Sequence, residues 1–224
     1  MTPSPPFPES GGPESSEGNR EAAFDSARDA GTNAAALEEA LEADEALFRA
    51  IAGWHAPILD RIMPSLSNAA NKSVLWIGTA SLLAVFGGKR GRWAAVEGLV
   101  AVGITSATAN LAAKHLVNRP RPTSGVPEHR RLAQPESSSF PSGHTASAAA
   151  FSGVVGQEIP ILYVPVTALA SAVGFSRVYT GVHYPGDVLA GWALGRLIAG
   201  SVRTIWPGGW RAGGTPSDRP SRGN

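Results

Sequence analysis

The sequence predicts an all-α fold: an integral membrane helical bundle of about five or six transmembrane helices with an N-terminal amphipathic helix. Three features predict it. The middle of the chain holds long uncharged runs of Ala, Gly, Leu and Val. Tryptophans stand at or near the ends of those runs, at Trp76, Trp93 and Trp206, and amphipathic rings of this kind settle at headgroup depth. Small residues recur within the runs, as at Ala190-Gly191 and Gly195, and let helix backbones approach closely in lipid.

The elements follow in order. Residues 1–33 are rich in Pro, Ser, Gly and Glu and read as a disordered tail, as do residues 207–224. Residues 34–206 form the embedded domain. The first thirty residues lack the basic and apolar regions of a secretory leader. From Ala34 to about Ala52, Leu37, Leu41, Phe48 and Ile51 recur at roughly helical spacing. In Trp54 to Leu66, Ile58, Leu59, Ile62 and Met63 alternate with His55, Asp60 and Arg61, between the helix-limiting Pro57 and Pro64. That charge density predicts an amphipathic segment lying at the interface, with Trp54 and Arg61 among the headgroups.

Five apolar segments come next: Ser73–Gly88, Trp93–Ala113, Thr145–Glu158, Ile159–Phe175 and Pro185–Trp206. A span needs roughly 20 apolar residues, so two of the five are short. Lys89-Arg90-Gly91-Arg92 reads as a tight basic turn between the first two.

Charge is divided along the chain. Its net value is +1, yet residues 1–47 hold eleven acidic side chains and two arginines. The remainder is strongly basic, which suits an anionic substrate or anionic lipid. Cysteine is absent, which excludes disulfides and thiolate chemistry. Nothing in the pattern points to nucleic acid.

The polar residues that carry chemistry lie at the ends of apolar segments. Lys114 closes the second segment and Arg121-Pro122 follows it. Pro141-Ser142-Gly143-His144 opens the third. Ser176-Arg177 closes the fourth, and His183 to Asp187 opens the fifth. Alternating spans bring all of these to one membrane face. Lys89, Arg90, Arg92 and Arg203 fall on the other, which the positive-inside rule makes cytoplasmic.

Lys114, Arg121 and Arg177 supply cations; the arginine fork suits two phosphate oxygens at once. The alternative is that all three are anchors snorkelling to headgroups, and for Arg119, Arg130 and Arg131 the anchor reading is preferred. His55 and His129 read as ordinary polar residues. Ser142-Gly143 before a helix offers backbone N–H groups to an anion, and Gly143 permits close approach; alone it is also an ordinary turn. Asp187, four residues after His183, shares a helical face with it and is placed to fix its tautomer. His144 is placed to protonate a departing alkoxide. Residue types alone leave open which histidine attacks.

The pattern Lys-x6-Arg-Pro, Pro-Ser-Gly-His and Ser-Arg-x5-His-x3-Asp resembles the signature of the type 2 phosphatidic acid phosphatase superfamily. It is complete here as Lys114…Arg121-Pro122, Pro141–His144 and Ser176-Arg177…His183…Asp187. The resemblance covers about residues 46–206. It implies a metal-independent phosphatase with no cofactor, working through a phosphohistidine. It makes His183 the nucleophile, Asp187 its orienting partner and His144 the general acid. It makes Lys114, Arg121, Arg177, Ser142 and the Gly143 backbone the holders of the phosphoryl oxygens.

The expected substrate is a prenyl phosphate or diphosphate, a phosphatidate, or a prenyl-phosphoryl sugar phosphate. The expected setting is a bacterial plasma membrane with the site on its extracytoplasmic face. Membrane lipids surround the protein, and the oligomeric state is left open. Two other classes fit parts of the pattern: a vanadate-dependent haloperoxidase, whose members are soluble and larger, and a non-catalytic lipid-phosphate binder, which has no need of His183.

Overall fold

The computed structural model describes residues 14–115 and 117–205, with the side chains of 14–25, 27 and 112–115 outside the description. It contains seven α-helices: α1 (Glu14–Gly53), α2 (Pro57–Ala69), α3 (Val74–Phe86), α4 (Gly88–His115), α5 (Gly143–Glu158), α6 (Tyr163–Tyr179) and α7 (Pro185–Ile205). The chain divides into two units, Met1–Ala43 and Asp44–Asn224. Everything that builds the site belongs to the second.

In the first unit, the tail expected to be disordered to residue 33 is helical from Glu14. The stretch from Glu21 to Ala43 is dominated by Ala, Glu and Leu and holds no proline, so its propensity favours helix. The Pro- and Gly-rich character belongs to residues 1–13, which lie outside the described residues, as do 206–224.

In the second unit α5 is the central helix, packed against α4, α6 and α7. Every residue from Thr145 to Gly156 is buried, the mark of a helix enclosed on all sides. Trp76 of α3 meets Phe151 of α5 at 5.2 Å between ring centroids, inside the largest apolar cluster.

The α5–α7 seam is close because it is made of small residues. A Cβ at Gly191 would collide with the Ser142 carbonyl, and one at Gly195 with the Ala146 carbonyl. The small-residue pattern read from the sequence is thus a packing seam.

Two local expectations change. The turn between α3 and α4 is at Gly87-Gly88, where Gly88 has φ +60°, and Lys89–Arg92 form the first turn of α4. A Cβ at Gly91 would strike the Leu83 carbonyl, so close packing of the two helix ends moves the corner onto the glycines. Pro64 sits inside α2 instead of ending it.

Among the described residues three helical stretches are long and apolar enough to cross a membrane: Gly88–Leu111, Pro160–Tyr179 and Pro185–Ile205. Pro57–Ala69 and Asn71–Phe86, bent by 70° at their junction, pass that test only together, as a broken span or a re-entrant loop. The expected five or six is larger because α3, at 13 residues, and α5, at 16, are each shorter than the roughly 20 residues of a free span.

Candidate active site

The start of α5, the end of α6, one face of α4, the α2–α3 junction and the loops before α5 and α7 line a cavity of ≈ 340 Å³. Arg121, Gly143, His144, Arg177 and His183 all line it. These residues are separated by as many as 62 positions, yet each sits within a few residues of a helix end. Antiparallel packing of the helices brings those ends together. Arg203 pairs with Glu158 at 3.9 Å, joining the far ends of α7 and α5.

His183 lies in the loop between α6 and α7 and is 4% exposed at its side chain. Its Nδ1 is 2.8 Å from the carbonyl oxygen of Ser139. A carbonyl only accepts, so Nδ1 carries the hydrogen and Nε2 keeps its lone pair. Nε2 is 3.3 Å from an Arg121 guanidinium nitrogen. Burial depresses the His183 pKa below its ordinary 6.5; Asp187 opposes this, and Arg121 and Arg177 add to it. The neutral, Nε2-nucleophilic form is thereby favoured.

Asp187, fully buried, stands 3.6 Å from His183 Nδ1, an ion-pair distance longer than a hydrogen bond. Its carboxylate is fixed by other groups. Oδ2 accepts a short bond from the Ser139 hydroxyl and another from the Tyr184 backbone N–H at 2.9 Å. Oδ1 accepts from Arg119 at 2.9 Å. Asp187 therefore reaches the histidine largely through Ser139, whose hydroxyl it holds and whose carbonyl holds the ring.

Arg119 is not the headgroup anchor its sequence position implied. Its other terminal nitrogen donates to Asp44 at 2.7 Å, and its guanidinium lies 4.1 Å from the centre of the Tyr184 ring. Burial works against its charge, but Asp44 and Asp187 outweigh this and its pKa is raised. Asp44 also accepts from the Gly186 N–H at 2.7 Å. A Cβ at Gly186 would come within 2.9 Å of that carboxylate. Asp44, on α1, thus caps the start of α7 and braces Asp187 from behind.

Arg130 is also no anchor. Its side chain is fully buried, donates to the carbonyls of Ala52 and Trp54, and lies 4.3 Å from the Tyr179 ring centre. Arg131 is exposed and donates to the Val126 carbonyl, and His55 is exposed as expected. His129, also exposed, faces Asp60 at 3.7 Å.

The cations are held to different degrees. Arg121 donates to the carbonyls of Ser137, Ser138 and Val182, which fixes its fork at the cavity wall. Arg177, 3% exposed, donates to the Ser67 hydroxyl of α2 at 2.7 Å, and its Nε is buried without a partner. A buried donor left open in a cavity wall is an anion-binding feature. Lys114 is in the last turn of α4, and its side chain lies outside the described residues.

Ser142 departs from expectation. It is the N-cap of α5, buried, with its hydroxyl at 3.0 Å from that of Thr145, and it is absent from the cavity wall. The helix start, not the hydroxyl, is what faces the cavity. A Cβ at Gly143 would meet only Ala109, at an ordinary 3.6 Å. No protein atom requires glycine there, which leaves its space to whatever enters the cavity. His144 lines the same wall with no hydrogen-bond partner among the described residues.

Residues 94–210 match the family model of the PAP2 superfamily. The chain is 31% identical over 171 residues to phosphatidylglycerophosphatase B of Bacillus subtilis (strain 168), a match covering 70% of this chain and 79% of that protein. It is 37% identical over 107 residues to decaprenylphosphoryl-5-phosphoribose phosphatase of Mycobacterium tuberculosis (strain ATCC 25618 / H37Rv), covering 44% and 54%. Its structure is similar to the crystal structure of a transmembrane PAP2 type phosphatidylglycerolphosphate phosphatase from Bacillus subtilis. The TM-score is 0.59 at 27% identity, over 75% of this chain and 86% of that one.

Proposed function

This chain belongs to the PAP2 superfamily and is an integral membrane, metal-independent phosphatase of lipid phosphates; from that premise we propose that His183 Nε2 attacks the phosphorus of its substrate. The observation that carries this reading is the hydrogen bond from His183 Nδ1 to the Ser139 carbonyl, because it leaves Nε2 unprotonated inside a cavity walled by arginine.

In the first step a bond forms between Nε2 and phosphorus and the bond to the leaving oxygen breaks. His144, whose pKa burial and the nearby Arg177, His183 and Arg121 push down to about 3, takes up a proton against the negative charge of the bound phosphate and gives it to that oxygen. Arg121, Arg177, Lys114 and the N–H groups at the start of α5 hold the three non-bridging oxygens and stabilise charge as the transition state forms. Asp187, through Ser139, holds the imidazole in its tautomer and favours the charge it gains. In the second step water attacks phosphorus, His144 accepts a proton, the N–P bond breaks and inorganic phosphate leaves.

The substrate belongs among prenyl phosphates and diphosphates, phosphatidates and prenyl-phosphoryl sugar phosphates. The setting is a bacterial plasma membrane. Lys89, Arg90 and Arg92 at the start of α4 and Arg203 at the end of α7 lie at the helix ends away from the site, which supports an extracytoplasmic site by the positive-inside rule.

The test is phosphate release by detergent-purified protein from lipid phosphates in mixed micelles. Release persists in EDTA and is inhibited by vanadate, a phosphate mimic. Strict dependence on an added divalent metal would contradict the mechanism.

A further inference from the structure

A second cavity, of ≈ 330 Å³, adjoins the first. Lys72, Pro135, His144 and Arg177 line both. The two spaces therefore meet at His144, the residue that faces the leaving oxygen in the mechanism above. The leaving group departs past His144, and the second cavity opens beside that residue.

That cavity is lined by Leu132 and Ala133 of the α4–α5 loop and by Asn71 and Lys72 of the α2–α3 junction. Lys72 reaches it through an unusual backbone. It stands at the 70° break between α2 and α3, with φ 52° and ψ 26°. Ser73 follows with φ 59°. Two consecutive non-glycine residues in the left-handed region are strained, and such strain collects at ligand sites. Lys72 is exposed and has no hydrogen-bond or ion-pair partner among the described residues. An apolar lipid tail has no use for an unneutralised cation at this position. An anion in the leaving group has.

The geometry points to a leaving-group subsite in which Lys72 binds a second phosphorus-centred anion, carried between the transferred phosphate and the lipid. The inference rests on the histidine phosphatase reading and narrows its substrate class. Lysine is a flexible point charge and accepts either source of that anion. One source is a diphosphate, whose second phosphoryl is the leaving group itself. The other is a phosphodiester set further along a phosphorylated headgroup. The two differ in what Lys72 does. Breaking a diphosphate puts new negative charge on the leaving phosphoryl, so Lys72 acts in the transition state and its effect is on kcat. A remote phosphodiester keeps its charge throughout, so Lys72 binds ground state and transition state alike and its effect is on KM.

The experiment compares the full-length wild type, Lys72→Gln and Lys72→Arg on three micellar substrates: prenyl monophosphate, prenyl diphosphate and phosphatidylglycerophosphate. Thermal melting confirms folding of each variant. The expected result is that Lys72→Gln lowers kcat/KM on the diphosphate or on phosphatidylglycerophosphate, relative to that on the monophosphate, about 10-fold, and that Lys72→Arg restores most of it. A loss in kcat assigns the diphosphate and a loss in KM the phosphodiester. An equal change on all three substrates, or none, overturns the subsite while leaving the phosphatase reading standing. Absence of phosphate release by the wild type from every lipid would overturn that reading and the subsite with it.

Discussion

The ring of His183 is oriented by a main-chain atom: its Nδ1 is 2.8 Å from the carbonyl oxygen of Ser139, against 3.6 Å to the Asp187 carboxylate. The acidic residue of the pair acts on Ser139, and Ser139 acts on the histidine. Substituting Ser139 with alanine keeps the carbonyl and removes only the hydroxyl that Asp187 accepts from. The loss is that of one hydrogen bond to a charged group, about 1.5–3 kcal/mol, or about 10- to 100-fold in kcat. Steady-state kinetics of Ser139→Ala beside Asp187→Asn checks this. An Asp187→Asn loss no larger than that of Ser139→Ala places the whole effect of the carboxylate in the Ser139 route.

Arg119 joins Asp44 to Asp187, with side chains 15%, 13% and 0% exposed respectively. Removing one partner of a largely buried pair leaves the other uncompensated, at about 3–5 kcal/mol. Arg119→Gln is expected to lower both the melting temperature and kcat, and Asp44→Asn to do the same more mildly, since Arg119 keeps Asp187. Unchanged melting in Arg119→Gln would return Arg119 to the role of a headgroup anchor.

The pH dependence follows from the direction of the His183 shift. Only the neutral imidazole attacks. Burial, with Arg121 and Arg177, holds its pKa below 6.5. The fall of kcat/KM that reports His183 protonation therefore lies on the acid side of 6.5, with activity lost as pH falls through the lowered value. Arg121→Gln removes one of the cations and moves this limb to higher pH. The substrate's own ionisation is common to both proteins, so the difference between their profiles isolates the enzyme. A limb that moves to lower pH would contradict the assignment.

At the helix start, Gly143→Ala introduces a Cβ whose nearest protein neighbour, Ala109, is 3.6 Å away. The variant is expected to fold with a melting temperature near that of wild type and to bind vanadate more weakly, because the methyl group takes room left for phosphoryl oxygens. Gly195→Ala is the contrasting case. Its Cβ collides with the Ala146 carbonyl in the α5–α7 seam, and overpacking of this kind costs about 1–3 kcal/mol. A melt series on the two variants separates room kept for a ligand from room used by packing.

Much of the site was legible because its residues sit at helix ends. His144, Arg177 and His183 each adjoin an apolar segment, so alternation of the segments was enough to bring them together, and Arg121 follows one closely. The supports were not legible. Ser67 meets Arg177 across 110 positions and Asp44 meets Arg119 across 75. A lone serine in a helix and one acid within an acidic run carry no local mark of such partners. Arg119 and Arg130 were misjudged because basic residues beside a span look alike whether they face headgroups or turn inward. Ser139 had a faint signal, the serine run 137–139 before the Pro-Ser-Gly-His motif. Ser142 was assigned to phosphate because the motif contains it, whereas its local chemistry is that of an N-cap.

The central claim is that phosphoryl transfer passes through His183 Nε2. It is tested most directly by rapid acid-free quenching of a single turnover with a phosphorus-labelled lipid phosphate, followed by peptide mapping of the protein. The predicted result is an acid-labile, alkali-stable label on the peptide containing His183, absent in His183→Ala, which also releases no phosphate. Full phosphate release by His183→Ala, or the same label on another residue, would contradict it.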